Sequence, residues 1–299
     1  MTTDAHPQIG ISSPRHRLPK ATRLGRVRLQ VADLTRSRAF YAGVLGLRVV
    51  GRGDGRLVLG PQEADTPLVE LVEQPGAQPA PRRDRLGLYH VAFLLPSRDA
   101  LGAFVRHLAD QDVRVGRSDH RVSEALYLTD PDGLGIEVYA DRPRAAWGRT
   151  EEGEIAMTTE PLDTQALLDA TPDASWAGMP AGTTIGHVHL HVGDLERAES
   201  FYHEALGFDK TVWTYPGALF LSAGSYHHHV GTNVWAGDAR PAGADEAQLL
   251  EWTLLVPDAE DVDAAADCLE DAGAPVTRDA PACRTQDPWG TALRIAPGA

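Results

Sequence analysis

Residues 85–140 decide how this sequence is interpreted, because they place two polar side chains in otherwise apolar strand candidates. The stretch reads RLGLYHVAFLLPSRDALGAFVRHL from residue 85 to 108, and SEALYLTDPDGLGIEVYADRPR from residue 123 to 144. His90 interrupts the first apolar run and Glu137 interrupts the last. Burying an unpaired imidazole or carboxylate inside a sheet is costly, so the two residues require a common partner. A metal ion satisfies both, and a third ligand is then expected elsewhere in the chain.

Composition restricts the class of protein before any motif is considered. The chain has 299 residues, a length typical of about two domains, and a net charge of −14. This acidic balance argues against nucleic acid and against an anionic membrane surface as partners. No run of 18 apolar residues is present, and the first 20 residues lack the apolar core of a signal peptide. We therefore expect a cytoplasmic protein with a flexible tail over residues 1–22.

The chain contains an internal repeat. LGRVRLQVADLTRSRAFYAGVLGL at 24–47 and IGHVHLHVGDLERAESFYHEALGF at 185–208 share eleven identical positions at an offset of 161. The alternating start predicts a strand, Asp33 is a suitable helix N-cap, and Gly46 ends the helix. Residues 86–140 and 246–297 repeat each other more weakly and share Asp-Pro-x-Gly before their last strand. The sequence thus predicts an α+β fold of four β-α-β-β-β modules.

The repeat also predicts the domain boundaries. Residues 23–142 form the first domain, with modules 1 and 2, and residues 183–299 form the second, with modules 3 and 4. Residues 143–182 are a linker rich in Pro, Gly, Ala and Thr, in which 163–171 has the pattern of a short helix.

Four such modules resemble the vicinal-oxygen-chelate superfamily, which includes glyoxalase I, extradiol ring-cleaving dioxygenases and bleomycin-resistance proteins. The segments EALYLTDPDGLGIEVYADRPR and PGALFLSAGSYHHHVGTNVWAG look most like bacterial catechol 2,3-dioxygenases. The resemblance implies two U-shaped incomplete barrels, each built from two modules, of which at least one surrounds a metal ion.

The resemblance also implies the missing ligand. In this superfamily the first ligand lies seven residues before the Asp that caps the helix, which gives His187 in module 3. The same count in module 1 gives Arg26, which cannot bind a metal ion. His189 and His191 share the strand face of His187 and remain alternatives.

The ligands His90 and Glu137 belong to module 2, whereas module 4 has Glu251 and Arg294 at the matching positions. The site is therefore split between modules 2 and 3. Either these modules pair within one chain, leaving modules 1 and 4 as an empty barrel, or the site forms between chains. We favour the pairing within one chain.

Three further residues are expected at the site from the same resemblance. Tyr127, ten residues before Glu137, would form a hydrogen bond to the bound diol. His120 would be a second catalytic residue beside Tyr127. His228, in the segment HHVG, would be the acid or base. Because side chains alternate along a strand, His227 and His229 should face the other way.

These residues predict an Fe(II)-dependent extradiol dioxygenase, with Mn(II) as the alternative metal. Two histidines and one carboxylate leave coordination positions for an aromatic diol and O₂. Two alternatives remain. The first is a redox-neutral isomerase or lyase using Zn, Ni, Co or Mn, against which the absence of a second carboxylate in module 3 argues. The second is a binding or resistance protein, against which the intact ligand set argues. Whether the chain forms a homo-oligomer is left open.

Overall fold

The computed structural model describes residues 10–80 and 83–298. In these ranges the four modules have the predicted order of elements. Module 1 contains β1 (Arg23–Val31), α1 (Leu34–Arg38), β2 (Arg48–Gly53), β3 (Arg56–Gly60) and β4 (Val69–Glu73). Module 2 contains β5 (Arg85–Leu94), α2 (Arg98–Asp110), β6 (Gly116–Asp119), β7 (Ser123–Thr129) and β8 (Gly135–Asp141).

The second half of the chain repeats this order after a linker. The linker contains a 3₁₀ turn (Arg144–Ala146) and the predicted short helix, α3 (Thr164–Ala170). Module 3 contains β9 (Thr184–His191), α4 (Leu195–Ala198), β10 (Asp209–Val212), β11 (Ala218–Ser222) and β12 (Val230–Asn233), followed by the short β13 (Arg240–Pro241). Module 4 contains β14 (Gln248–Val256), α5 (Ala259–Asp271), β15 (Val276–Asp279), β16 (Ala282–Gln286) and β17 (Ala292–Pro297).

The first helix of module 1 follows its sequence signals only in part. The Asp33 side chain accepts hydrogen bonds from the amides of Thr35 and Arg36, as expected of the predicted N-cap. After one α-helical turn the segment Ala39–Val44 continues as a π-helix, which apolar periodicity alone does not predict. Gly46 then adopts a φ of 71°, a left-handed conformation that suits glycine at the end of a helix.

The strands form two curled sheets that are half-barrels, and modules 2 and 3 pair within the chain as predicted. One sheet has the order β10-β11-β12-β9-β5-β8-β7-β6 and combines modules 3 and 2, with β13 added beside β5. The other has the order β15-β16-β17-β14-β1-β4-β3-β2 and combines modules 4 and 1. The pairs β5–β9 and β1–β14 are antiparallel and join the modules at the centre of each sheet. Each sheet therefore takes one module from each half of the sequence.

The repeated motifs connect the two sheets. Tyr41, from the Phe-Tyr of module 1, donates a hydrogen bond to Asp130 in the Asp-Pro turn of module 2, at 3.1 Å. Tyr202 of module 3 donates to Asp287 in the matching turn of module 4, at 2.9 Å. Both tyrosines are fully buried. The Phe-Tyr and Asp-Pro-x-Gly motifs therefore have a structural role, since each pair joins one sheet to the other.

The segment before β1 packs against module 3. Arg17 contacts Asp209 through two nitrogens, and the amide of Leu18 donates to the Gly207 carbonyl. Of the tail predicted over 1–22, residues 1–9 lie outside the described residues. No helix in the part of the chain that the structure describes is long and apolar enough to cross a membrane.

Candidate metal centre

Strand register places the predicted ligands on one face of the sheet formed by modules 2 and 3. Ala92 on β5 lies opposite Glu137 on β8 and opposite His187 on β9. On the outer side of β8, Tyr127 on β7 lies opposite Glu137. Residues in such a row point to the same face of a sheet. Because the Ala92 side chain is only a methyl group, Glu137 and His187 can meet above it, and His90 precedes it by two positions on the same strand.

The three ligand atoms form a nearly equilateral triangle. The Oε2 atom of Glu137 lies 3.0 Å from Nε2 of His90 and 3.1 Å from Nε2 of His187. The two histidine nitrogens are 3.3 Å apart. All three residues are buried.

The donor set and its spacing fit a divalent metal ion. Three ligands at right angles around one ion, with bonds of about 2.1 Å, have their donor atoms about 3 Å apart. The observed separations match this arrangement, which leaves the opposite face of the ion free for other ligands. Within residues 10–80 and 83–298 this is the one group of three histidine, cysteine or carboxylate side chains close enough to share a metal ion.

The protonation states also suit metal binding. Burial raises the pKa of Glu137, but its electrostatic interaction with His187 and the hydrogen bonds from His187 and His90 outweigh burial and hold the pKa well below its usual value. Burial lowers the pKa of His187 to about 4, although Glu137 acts in the opposite direction. An ionised carboxylate and a neutral imidazole are the forms that bind metal ions.

The two alternative histidines of β9 are held away from this triangle. Nε2 of His189 accepts a hydrogen bond from the amide nitrogen of Asn233 at 2.9 Å, and Nδ1 of His191 donates to the amide oxygen of Asn233 at 2.6 Å. Asn233 is fully buried on the adjacent strand β12. His189 and His191 therefore act as a pair that is bridged by one amide, and of the histidines of β9 only His187 has a ring nitrogen in the ligand triangle with His90 and Glu137.

A cavity of about 320 Å³ opens beside the triangle. Apart from the three candidate ligands, its walls include His120, Tyr127 and His228 and the aromatic side chains of Tyr89, Tyr215, Phe220 and Trp235. Linker residues 157–159, together with Ser118, Ser123 and His189, complete the lining. The cavity therefore combines a polar floor with aromatic walls, a combination typical of sites for small aromatic molecules.

Tyr127 and His120 form a hydrogen-bonded pair in the cavity wall. Nε2 of His120 lies 2.7 Å from the Tyr127 hydroxyl, and Nδ1 lies 2.6 Å from the carbonyl oxygen of Thr158. A carbonyl only accepts, so Nδ1 of His120 carries a proton, and in the neutral imidazole Nε2 accepts from Tyr127. Burial and the charge of Glu137 raise the pKa of Tyr127 well above its usual value. Tyr127 is therefore a neutral hydroxyl beside the candidate metal centre.

His228 is connected to a carboxylate outside the cavity. Its Nδ1 atom lies 2.8 Å from Nδ1 of His227, whose Nε2 lies 3.0 Å from Oδ1 of Asp141. If His227 is neutral, it donates to Asp141 and accepts from His228, which leaves Nε2 of His228 as a proton acceptor. Burial, together with the neighbouring His187 and His227, lowers the pKa of His228 well below its usual value.

The expected arrangement of the three consecutive histidines is wrong in one respect. They precede β12 rather than lying on it, because the chain turns at Gly224 and Ser225, where φ is 63° and 58°. The rings of His227 and His228 can therefore touch instead of facing opposite sides. His229 packs on the rings of Phe208 and Tyr226 and does not line the cavity.

Sequence reasoning missed two parts of the cavity. The linker was expected only to join the halves, yet residues 157–159 lie in the wall and the Thr158 carbonyl holds His120. Trp235 and Trp252 were not distinguishable from sequence. Trp235 lines the cavity, whereas Trp252 is fully buried in the core. No periodicity signal separates these cases, because both depend on how distant segments pack.

Comparison with known proteins identifies the superfamily of this chain. The sequence matches the model of the Glyoxalase/Bleomycin resistance protein/Dioxygenase superfamily over residues 23–138 and 184–291. The chain belongs to this superfamily. Over 270 residues it is 43% identical to a protein of Bacillus subtilis (strain 168) named catechol-2,3-dioxygenase, covering 89% of this chain and 94% of that protein.

Solved structures show the same fold at lower identity. A putative dioxygenase from Bacillus subtilis subsp. subtilis str. 168 is 19% identical with a TM-score of 0.64, over 94% of this chain and 86% of the other. Glyoxalase I from Zea mays is 18% identical with a TM-score of 0.54, over 93% and 92%. These two similarities concern the fold alone.

Proposed function

We propose that this chain is an Fe(II)-dependent extradiol dioxygenase that opens the ring of a catechol-type aromatic. The observation that carries the proposal is the triangle of Nε2 of His90, Oε2 of Glu137 and Nε2 of His187, at the floor of a cavity of about 320 Å³. The name of the Bacillus subtilis relative at 43% identity supports the same activity.

In this proposal His90, Glu137 and His187 hold the metal ion, which is Fe(II) or, as the alternative, Mn(II). The bound ion supplies open coordination positions and passes electrons between the aromatic diol and O₂. The absence of a second carboxylate at the triangle within the described residues favours this role over that of a glyoxalase-type isomerase.

The aromatic walls orient the substrate ring. Tyr89, Phe220 and Trp235 line the apolar side of the cavity. Edge-to-face contacts already join some of these rings, as between Tyr89 and Trp235, whose centroids are 5.7 Å apart. Such walls suit a flat aromatic ring whose hydroxyl groups point toward the polar floor.

Two side chains, His228 and Tyr127, interact with the hydroxyl groups of the diol. His228 is neutral, and its Nε2 accepts a proton from a hydroxyl of the diol. His227 and Asp141 then stabilise the imidazolium form of His228 through the hydrogen-bonded chain. Tyr127 holds its proton toward His120 and orients the diol through its hydroxyl oxygen. The two groups thus separate proton removal from substrate positioning.

Oxygen uptake tests the proposal. Protein loaded anaerobically with Fe(II) is mixed with catechol and with methyl-substituted catechols, and O₂ consumption is compared with the yield of ring-opened semialdehyde. We expect about one O₂ consumed per ring opened, because a dioxygenase places both oxygen atoms in its product. The variant His90→Gln should show neither. Fully metal-loaded protein that consumes no O₂ with any catechol would contradict the proposal and favour an isomerase or lyase.

A further inference from the structure

The second sheet, formed by modules 1 and 4, has a cavity of about 380 Å³ at the place where the first sheet holds the candidate metal centre. By the internal repeat, Arg26 takes the position of His187, Glu251 that of His90, and Arg294 that of Glu137. Two cationic side chains among these three positions exclude a metal ion. Five arginines line the cavity: Arg26, Arg28, Arg56, Arg284 and Arg294.

The cavity has fewer acidic groups than basic ones. Its two carboxylates, Glu70 and Glu251, are buried. Asp279, outside the cavity lining, pairs with Arg284 at 2.9 Å, so five arginines against three carboxylates leave two positive charges in excess, on a chain whose net charge is −14. An excess of one sign in a concave surface attracts small ions of the opposite sign.

The two carboxylates are already shared among several arginines. Glu70 lies 2.9 Å from Arg26, 3.5 Å from Arg28 and 3.6 Å from Arg56. Glu251 lies 3.1 Å from Arg284 and 3.9 Å from Arg28, and Arg284 also pairs with Asp279 at 2.9 Å. One carboxylate cannot neutralise two or three guanidinium groups, so donors remain that no acidic side chain satisfies.

Arg294 has the clearest need for an anionic partner. It is half-buried on β17, directly opposite Arg284 on β16, and within the described residues it contacts no carboxylate closely enough to form an ion pair. Like charges directly opposite each other on antiparallel strands are destabilising. An anion between them would turn this repulsion into attraction.

We propose that this cavity binds a small organic oxyanion that carries at least two negative charges, a phosphate monoester or a dicarboxylate. Guanidinium groups match the oxygens of both in two-point hydrogen bonds. The cavity volume lies in the range of small-molecule sites, about 300–1,000 Å³. The ligand lies on a different sheet from the candidate metal centre and does not depend on the chemistry there.

Calorimetric titration of the metal-loaded full chain tests this site. The probes are inorganic phosphate and, separately, succinate, in a low-salt buffer without other oxyanions. We expect one molecule of at least one probe to bind per chain, with affinity that falls as salt increases. Phosphate alone identifies the phosphate class, and succinate alone identifies the dicarboxylates.

Two variants locate the binding. Arg294→Gln should weaken binding about tenfold or more, the effect of losing a charge-assisted hydrogen bond. Arg114→Gln removes the same charge from an exposed position outside the cavity and should leave binding unchanged. Metal content should be unchanged in both variants.

Measurements on the same probes and variants also define the results that would contradict the proposal. Absence of binding for both probes at millimolar concentration would overturn it, and so would equal binding to the wild type and Arg294→Gln. In anion-free buffer Arg294→Gln should unfold at the same or a higher temperature, because it removes a like-charge contact. A lower unfolding temperature would show that Arg294 stabilises the fold through other contacts and would contradict the inference. Arg56→Gln, at a more exposed cavity residue, provides a second variant.

Discussion

The Nδ1 atoms of His227 and His228 lie 2.8 Å apart, and this contact links a histidine of the cavity wall to the carboxylate of Asp141. Two imidazoles can share such a contact only when one donates and the other accepts. When His227 is neutral, Asp141 determines the direction, because the carboxylate accepts from Nε2 of His227 and leaves Nδ1 to accept from His228. The proton order along this chain therefore determines which nitrogen of His228 is free to act as a base.

The first prediction concerns this proton order. In Asp141→Asn the amide group can donate to His227, which reverses the chain and places a proton on Nε2 of His228. Turnover of metal-saturated protein should fall by about tenfold or more, since a positioned base contributes about 10²–10⁴ in rate. Asp65→Asn, at an exposed carboxylate, serves as the control. Steady-state rates and metal content are measured together, and unchanged turnover in Asp141→Asn would remove the chain from the mechanism.

The second prediction concerns the pair of Tyr127 and His120. Tyr127→Phe removes the hydroxyl that donates to Nε2 of His120 at 2.7 Å, and kcat/KM should fall about tenfold with metal content unchanged. His120→Gln should have a similar effect. Because the two side chains act as one unit, the double variant should be little worse than either single one. Fully additive losses in kcat/KM would show that the residues act independently.

The third prediction concerns the close packing next to His187. A Cβ atom at Gly186 would lie 1.8 Å from the Tyr139 hydroxyl oxygen and 3.0 Å from Cβ of Leu94. Gly186→Ala should therefore lower the free energy of unfolding by about 1–3 kcal/mol or more, as overpacking does. Gly43→Ala, where no atom lies within 4 Å of the new Cβ, is the matched control. Urea unfolding distinguishes them, and equal stability of both variants would contradict the packing described.

The fourth prediction concerns pH. Burial lowers the pKa of His229 to about 3, against about 6.5 for an unfolded histidine. As the pH falls below 6.5 the unfolded chain takes up a proton that the folded chain does not, so this residue makes the free energy of unfolding decrease from pH 6.5 toward pH 3. In His229→Gln, urea unfolding at pH 7.5, 6 and 5 should show a smaller decrease. An identical pH dependence in the wild type and the variant would exclude His229 as a source.

The sequence predicted the modules and their pairing because each depends on short-range patterns. Asp33 capped its helix as expected, and the division of the ligands between modules 2 and 3 left pairing within one chain or between chains, of which the favoured one, within the chain, is confirmed. The choice among the histidines of β9 needed the position of Asn233, which lies more than 40 residues away from them. The turn that brings His227 against His228 depends on two left-handed residues and leaves no periodic signal.

The linker is a second case in which sequence patterns could not predict which residues belong to the site. Residues 157–159 have no motif, and only packing places them in the cavity wall, where the Thr158 carbonyl fixes the proton on His120. The Phe-Tyr motif was visible as a repeat, but its role became clear only from the bonds of Tyr41 and Tyr202 to the other sheet. Long-range partners of this kind are decided by tertiary packing rather than by local preference.

Metal content per chain, measured on protein purified without oxygen, tests the central claim most directly. The wild type should contain about one Fe or Mn per chain, and His187→Gln should contain none, because two remaining ligands hold a divalent ion weakly. His189→Gln changes a buried histidine of the same strand that Asn233 holds outside the triangle, and it should keep its metal. Full occupancy in His187→Gln, or no metal in the wild type after anaerobic reconstitution, would contradict the account.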